Sequence, residues 1–139
     1  MSPTERGTIY TLGYTRPEAT TRLSRLMRNP RTLLVDVRYQ PTSRWAHQWN
    51  RASLTARYGR RYVWERRLGN IHYREPECGI ELAAGYQDAV GEAAALLCEG
   101  TSLVLLCFCG DERACHRRLI AKLIQDTLPV PRSSWEVRS

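Results

Sequence analysis

Two apolar runs constrain the fold of this chain more than any other feature of its sequence. Residues 103–109 are all apolar, and residues 33–37 are apolar except for Asp36. A strand with one wet face alternates apolar and polar residues, whereas unbroken runs are typical of parallel strands that are covered on both faces. Segments with the apolar spacing of helices lie between the runs. The sequence therefore predicts an α/β fold, a single three-layer domain over residues 1–139 with a mostly parallel sheet and helices on both faces.

Shorter segments complete the predicted order of elements. Thr15 and Glu18 have the spacing of a capping box, in which each side chain can bind the backbone amide of the other at a helix start. Asn50 and Gly59 are residue types that begin and end helices. The expected elements are strands at 9–12, 33–37, 61–64, 71–73, 103–109 and 135–138, and helices between Thr15 and Asn29, at 50–58, at 82–98 and from Asp111 onward.

The composition argues against a membrane span and indicates a reducing location. The longest apolar run has seven residues, whereas a membrane-spanning helix needs about 20. The first six residues lack the apolar core of a signal peptide. We therefore expect a cytoplasmic protein with no membrane partner. Its five cysteines are expected to be reduced thiols rather than a disulfide framework.

Positive charge is concentrated in the first half of the chain. Residues 1–74 contain 15 arginines and 4 acidic residues, a net charge of +11, whereas residues 75–139 contain 5 arginines, 1 lysine and 10 acidic residues, a net charge of −4. Within residues 57–74, six arginines are interleaved with tyrosine and tryptophan, which suits single-stranded nucleic acid. The charge predicts an anionic small molecule, a nucleotide or a nucleic acid as partner, unless it forms a solvated face without one.

The turn that follows the longer apolar run has the residue types of a reactive site. Cys107 ends the predicted strand, and Cys115, His116 and Arg117 follow at the start of the next helix. Backbone amides at a helix start and a neighbouring arginine both stabilise a thiolate, and histidine transfers protons near neutral pH. Cys107 or Cys115 is therefore a candidate nucleophile, with His116 as its acid–base partner. A structural role, in which Cys115 packs beneath the helix, accounts for the same residues.

Cys107, Cys109, Cys115 and His116 also offer the atoms that bind zinc. Their spacing matches none of the familiar paired patterns of zinc sites, and the neighbours at 115 and 116 would both have to point at one ion. We therefore expect no metal and no cofactor.

Polar residues follow three of the predicted strands at their carboxyl ends, where parallel sheets bind ligands. Gly13 and Tyr14 follow the first strand, Arg38 and Arg44 follow the second, and Arg117 follows the last. We expect convergence at one edge of the sheet for Gly13 with Tyr14, Arg38, Cys107, and His116 with Arg117. The three arginines could then hold phosphate through paired hydrogen bonds, and Tyr14 could stack on a base. In the alternatives, Arg38 pairs with the aspartate two positions before it, and Tyr14 only covers the sheet.

The order of these segments resembles a known protein family. The matching pieces are, in chain order, 9–14 (Ile-Tyr-Thr-Leu-Gly-Tyr), 34–38 (Leu-Val-Asp-Val-Arg), Pro41 with Ser43 and Arg44, 68–70 (Leu-Gly-Asn), 106–107 (Leu-Cys) and 115–117 (Cys-His-Arg). Together they resemble the domain of unknown function 488 family over roughly residues 8 to 126. The resemblance implies a compact α/β fold with these residues in one pocket, which makes Asn70 a candidate ligand-binding residue. The family name assigns no activity.

One position departs from the family pattern. The resemblance implies a glutamate two residues after the first signature cysteine, and Cys109 stands there in this chain. If that carboxylate transfers protons in the family, Asp36, Asp111 or Glu112 would have to replace it. Asp36 therefore joins the candidate catalytic residues.

These observations predict an enzyme-like domain that binds a phosphorylated or nucleotide-type anion and carries out hydrolysis or group transfer. Arg38, Arg44 and Arg117 would hold the anion. The alternative is a nucleic-acid-binding accessory protein whose signature pocket is structural. The salt dependence of binding separates the two, because the affinity of the accessory protein should fall steeply as salt is added.

Overall fold

Strands and helices alternate along the chain in a computed structural model that describes residues 6–43, 46–108 and 116–128. The four strands of this part are β1 (Ile9–Gly13), β2 (Thr32–Asp36), β3 (Tyr62–Trp64) and β4 (Ser102–Cys107). The four α-helices are α1 (Ala19–Leu26), α2 (Arg51–Tyr58), α3 (Tyr86–Cys98) and α4 (His116–Thr127). Short 3₁₀ turns occupy His47–Trp49, Gly59–Arg61, Arg66–Leu68 and Pro76–Cys78.

The four strands form one parallel sheet in the order β1-β4-β2-β3. Gly13 is paired with Cys107 at the ends of β1 and β4, and Asp36 is paired with Leu106 and with Trp64. All four strands therefore end on the same side of the sheet. We call this side, where Gly13, Asp36, Trp64 and Cys107 lie, the carboxyl edge.

Helices cover both faces of the sheet, and β4 contributes to both cores. Its residues Leu103, Leu105 and Cys107 pack on one face with α3 and α4. Val104 and Leu106 pack on the other face with α1 and α2. Every residue of β4 is buried, as expected for a central strand between two layers of helices. Burying one leucine contributes roughly 1.5–3 kcal/mol. The predicted three-layer α/β fold is confirmed.

Two local predictions were wrong. The capping box does not form, since α1 begins at Ala19 and Glu18, at the N-cap, makes no side-chain capping bond. The preceding residues instead make tight turns, with the amide of Arg16 bonded to the carbonyl of Gly13. The strand expected at 71–73 is a series of turns. The predicted helix start at Asp111 and the strand at 135–138 lie outside the described residues.

Glycine at position 59 ends α2 as predicted. Its φ of 57° lies in the left-handed region, which other residues rarely adopt. Among the described helices, none has the length and apolar character needed to cross a membrane.

Candidate functional site

Backbone hydrogen bonds join the predicted site residues at the carboxyl edge. The amide of Tyr14 donates to the carbonyl of Cys107 at 3.2 Å, which ties the end of β1 to the end of β4. The Nε2 atom of His116 lies 2.7 Å from the carbonyl oxygen of Val37, just after β2. The Nη1 atom of Arg117 donates to the sulfur of Cys107 at 3.1 Å. The predicted convergence of these strand ends is confirmed.

A cavity of about 320 Å³ opens where β1 ends and α1 begins. Its lining comprises Thr11, Leu12, Gly13, Arg16, Glu18, Ala19, Arg22 and Arg117. Among the described residues of the lining, the charged ones are three arginines and one glutamate, an excess of two positive charges. We call it the β1 cavity.

Two of these arginines are held in place by the protein. The Nη1 atom of Arg22 donates to the carbonyl of Thr11 at 2.6 Å. Arg117 is only 3% exposed, and its bond to the sulfur of Cys107 fixes the guanidinium beside the end of β4. Positioned guanidinium groups lose little entropy when they bind an anion, and their planar fork matches two oxygens of a phosphate.

A different arginine environment lies at the end of β2. Arg38 makes a two-pronged ion pair with Asp36, with the Nε–Oδ1 distance at 2.7 Å and the Nη2–Oδ2 distance at 2.5 Å. The Arg38 Nη2 atom also donates to the carbonyl of Trp49, and the Tyr62 hydroxyl donates to Asp36 Oδ2, both at 2.6 Å. The structure therefore shows the alternative in which Arg38 pairs with Asp36.

The environment at the end of β2 also shifts two pKa values. Burial disfavours the charged form of Arg38, but the hydrogen bond to Asp36 and its negative charge outweigh this, so the pKa of Arg38 is raised. Burial, followed by the charge of Asp36, raises the pKa of Tyr62. Tyr62 therefore stays a protonated donor to the carboxylate.

Asp36 and Arg38 are consequently poor fits to their predicted roles in catalysis and anion binding. Asp36 is fully buried, and its carboxylate is occupied by Arg38 and Tyr62. Arg38 keeps one buried donor, Nη1, that has no hydrogen-bond partner within the described ranges. Its charge, however, is matched by Asp36. The catalytic role of Asp36 and the anion-binding role of Arg38 stay predictions, and neither residue lines the β1 cavity.

Tyr14 packs inside an aromatic group at the carboxyl edge. Its ring stacks on Trp49 with centroids 5.6 Å apart and meets Phe108 edge-on at 5.4 Å. The guanidinium carbon of Arg38 lies 5.4 Å from the centroid of the same ring. Tyr14 is buried whereas Phe108 is 59% exposed. Phe108 is therefore the aromatic side chain of this group that a ligand could reach, and its place directly after β4 was the sequence signal for it.

His116 connects the start of α4 to two other segments. A neutral Nε2–H donates to the carbonyl of Val37, and the backbone of Leu68 also favours a proton on the ring. Burial is the main reason that the pKa of His116 is lowered, and the charge of Arg117 acts in the same direction. The ring is therefore neutral at pH 7. These contacts support a bracing role, and the predicted role as acid–base partner of a thiol stays a prediction.

The cysteines differ in their chemical state. Cys78 and Cys98 are free and exposed, as expected for reduced thiols. The same expectation is wrong for Cys107, which is 1% exposed and disulfide-bonded. The expectation of reduced thiols rested on the cellular location, which applies to cysteines in general. Whether one particular cysteine forms a disulfide depends on a second sulfur lying within bonding distance. A disulfide sulfur is not a thiolate, so Cys107 cannot act as the predicted nucleophile in this form. Cys115, Cys109 and Arg44 lie outside the described residues.

The side chain of Asn70 stabilises a turn, and Asn70 is not among the residues that line the β1 cavity. Its Oδ1 accepts from the amides of His72 and Glu81, both at 3.0 Å. A side chain at the neighbouring Gly69 would come within 2.7 Å of the Cα atom of Tyr39. The glycine therefore allows this turn to pack against the chain that follows Arg38. Ligand binding by Asn70 stays a prediction.

Arg16 and Arg22 are the residues that sequence reasoning missed. Both line the β1 cavity, and both follow Gly13, which was already expected to end a parallel strand. Arginines just beyond a strand end and along the next helix are the signal that could have found them, because such segments border the carboxyl edge.

The fold and this site define a three-layer α/β protein with an arginine-lined cavity at the carboxyl edge of its sheet. A family model described as domain of unknown function DUF488 matches residues 20–124, and the chain belongs to this family. The matched range includes Arg22, Arg38 and Arg117, whereas Gly13 and Arg16 precede it. No curated protein and no solved structure matches the chain.

Proposed function

We propose that the protein binds a phosphorylated ligand of the nucleotide type in the β1 cavity. The observation that carries the proposal is the composition of the lining that the structure describes, three arginines and one glutamate around about 320 Å³. Arginine forks bind phosphate oxygens in pairs, and such charge-assisted bonds are roughly twice as strong as neutral ones. Phosphate is therefore the chemical group that best matches the lining.

The dimensions of the cavity support a small ligand. Its volume is at the lower end of the range of about 300–1,000 Å³ that is usual for small-molecule sites. Apolar contacts from Leu12 and Ala19 are available beside the three guanidinium groups. A single phosphorylated unit, such as a sugar phosphate or a mononucleotide, fits this combination better than a polymer does.

Hydrolysis or group transfer would require a nucleophile in addition to these binding groups. The sulfur of Cys107 accepts a hydrogen bond from Arg117, but it is buried and disulfide-bonded. A covalent mechanism at this edge would therefore need an attacking water or a form of the protein in which this disulfide is reduced. Binding is the part of the proposal that the described contacts support, and the reaction class remains a prediction from the sequence.

Calorimetric titration tests the proposal with inorganic phosphate, pyrophosphate and adenosine monophosphate at an ionic strength of about 0.15 M, where charges more than about 8 Å apart are largely screened. The informative variant is Arg22→Gln, because Arg22 is half-buried and its removal leaves both cores intact. Hydrogen bonds to charged groups contribute about 1.5–3 kcal/mol, so we expect affinity to fall about tenfold or more. Arg25→Gln on the same helix removes the same charge outside the cavity.

The control variant should bind within about twofold of the unmodified protein, since an exposed charge that does not touch the ligand is strongly screened. Absence of binding for all three compounds would contradict the proposal. Equal decreases for Arg22→Gln and Arg25→Gln would also contradict it, because the cavity would then have no special role.

A further inference from the structure

A second set of arginines lies against two tyrosines, one exposed and one half-buried, apart from the β1 cavity. The guanidinium carbon of Arg66 lies 4.2 Å from the ring centroid of Tyr39, and that of Arg74 lies 5.4 Å from the ring centroid of Tyr73. The two tyrosine rings are 6.0 Å apart and tilted by 43°. We call these four residues the arginine–tyrosine surface. None of them lines the cavity.

This surface borders the carboxyl edge on the side of β2 and β3. Tyr39 lies three residues after the end of β2, and Arg66 lies two residues after the end of β3. Because the strands are parallel, both positions are on the same side of the sheet. Tyr73 is 42% exposed, and both arginines are exposed. Tyr39 is half-buried. The ring of Tyr73, part of the Tyr39 side chain and both positive charges are therefore accessible together.

Arg66 and Arg74 also differ from Arg67, the arginine that lies between them in the chain. Arg67 is ion-paired with Glu65 at 2.7 Å and with Glu92 at 3.1 Å. Across residues 6–43, 46–108 and 116–128, Arg66 and Arg74 make contacts with tyrosine rings and no ion pair. Their charges are thus not neutralised by this part of the protein and are available to an anionic partner.

A third pair extends the same pattern along β3. The guanidinium carbon of Arg51 lies 4.9 Å from the ring centroid of Trp64, the last residue of β3. The exposed acidic residues Glu75 and Glu77 follow the surface in the chain. Because carboxylates repel phosphate, we expect a bound strand to keep away from these two residues.

We infer that the arginine–tyrosine surface binds single-stranded nucleic acid. Bases would stack on Tyr39 and Tyr73, and the backbone phosphates would contact Arg66 and Arg74. Aromatic platforms interleaved with positive charge are the usual means of binding single strands without sequence preference. A duplex offers its phosphates but keeps its bases stacked inside, so it could not stack on the two rings. The inference does not depend on ligand binding in the β1 cavity.

Fluorescence anisotropy with labelled eight-nucleotide strands of DNA and of RNA tests the inference. The double variant Tyr39→Leu/Tyr73→Leu removes both stacking platforms, and each missing stack should weaken binding about fivefold or more. A duplex of the same sequence and polyglutamate serve as competitors that present charge without accessible bases. We expect both to compete poorly with the single strand.

A charge-matched pair of variants separates the surface from general attraction. Arg66→Gln/Arg74→Gln and Arg25→Gln/Arg28→Gln remove the same charge. The second pair lies at the far end of α1, toward the amino ends of the strands. Only the first pair should reduce the salt dependence of binding, by about 0.7 in the logarithmic slope for each phosphate that an arginine no longer neutralises.

Three results would overturn the inference: equal binding of duplex and single strand, equal weakening by the two arginine pairs, or unchanged affinity in the tyrosine variant. Tyr39 is half-buried beside Gly69, so Tyr73→Leu alone provides the stacking test if the double variant does not fold. Failure of phosphate to bind in the β1 cavity would leave all of these outcomes unchanged, because the two sites share no residue.

Discussion

The ends of β1 and β2 lie at the same edge of the sheet, yet the described surroundings of their arginines differ. At the end of β1, Arg16, Arg22 and Arg117 surround a cavity whose lining contains one acidic residue. At the end of β2, Arg38 is matched by the buried carboxylate of Asp36. An arginine that follows a parallel strand is therefore not enough to indicate an anion site. At the end of β2, the strand itself supplies the carboxylate that pairs with the arginine, so the positive charge is not available to a ligand.

The largest expected effect comes from removing the carboxylate at the end of β2. Asp36→Asn leaves the buried guanidinium of Arg38 without its counter-charge, which should lower the free energy of unfolding by about 3–5 kcal/mol. Denaturation with urea measures the decrease. Glu65→Gln breaks the partly exposed pair with Arg67 and should cost less than about 1 kcal/mol. If the two variants are destabilised by the same amount, the carboxylate of Asp36 does not act as the counter-charge of a buried arginine at the end of β2.

The hydroxyl of Tyr62 should contribute the next largest effect. Tyr62→Phe keeps the ring in its core and removes the donor to Asp36 Oδ2. A hydrogen bond to a charged group contributes about 1.5–3 kcal/mol, so the unfolding free energy should fall by that amount. Tyr58→Phe on α2, whose hydroxyl bonds to no buried carboxylate among the described residues, is the control. A Tyr62→Phe protein as stable as the control would show that the carboxylate needs only Arg38.

His116 links the two regions, because it bonds to Val37 after β2 and precedes Arg117 of the β1 cavity. Its pKa in the folded protein is lowered, mainly by burial, relative to about 6.5 in an unfolded chain. As the pH falls below about 6.5, the unfolded state takes up a proton that the folded state does not, so stability decreases. Above that pH the contribution is fully present.

Urea unfolding between pH 5 and pH 8 measures this slope. In His116→Gln the part of the slope due to the imidazole should disappear, while His47→Gln at an exposed position serves as the control for the change of residue type. An unchanged slope in His116→Gln would mean that the ring is not buried as a neutral donor.

The smallest effect concerns the acidic residue of the β1 cavity. Glu18→Gln should change the unfolding free energy by no more than about 0.5 kcal/mol, because Glu18 is exposed and makes no capping bond. The same change removes a negative charge from the lining, so the affinity for inorganic phosphate should rise. Weaker phosphate binding in this variant would indicate that the cavity selects a cation or a neutral group instead.

The parts of the fold that the sequence predicted are those that depend on local pattern. The unbroken apolar run around residue 105 identified the central strand, and Gly59 identified the end of α2. The meeting of strand ends followed from parallel pairing alone. The start of α1 was misplaced, because a turn after Gly13 competed with the capping box. Which residues of α1 line a cavity depends on how the helix packs on the sheet, and the sequence does not contain that information locally.

The pairing of Asp36 with Arg38 illustrates how far sequence reasoning could go. Residues two apart in an extended chain point to the same side, so the ion pair was a geometric possibility and was one of the two alternatives. Choosing between them required knowing that Trp49 and Tyr62 would close around the pair and exclude a ligand. Those contacts are separated from Asp36 by 13 and 26 positions in the sequence.

Crystals grown with tungstate, a heavy analogue of phosphate, test the central claim most directly. The anomalous signal of the metal locates the anion without prior assumptions. We expect a peak in the β1 cavity, within contact distance of Arg22 and Arg117, and its disappearance in crystals of Arg22→Gln. A peak against Arg38 and Phe108 with the β1 cavity empty would contradict the claim and would move the anion site to the end of β2.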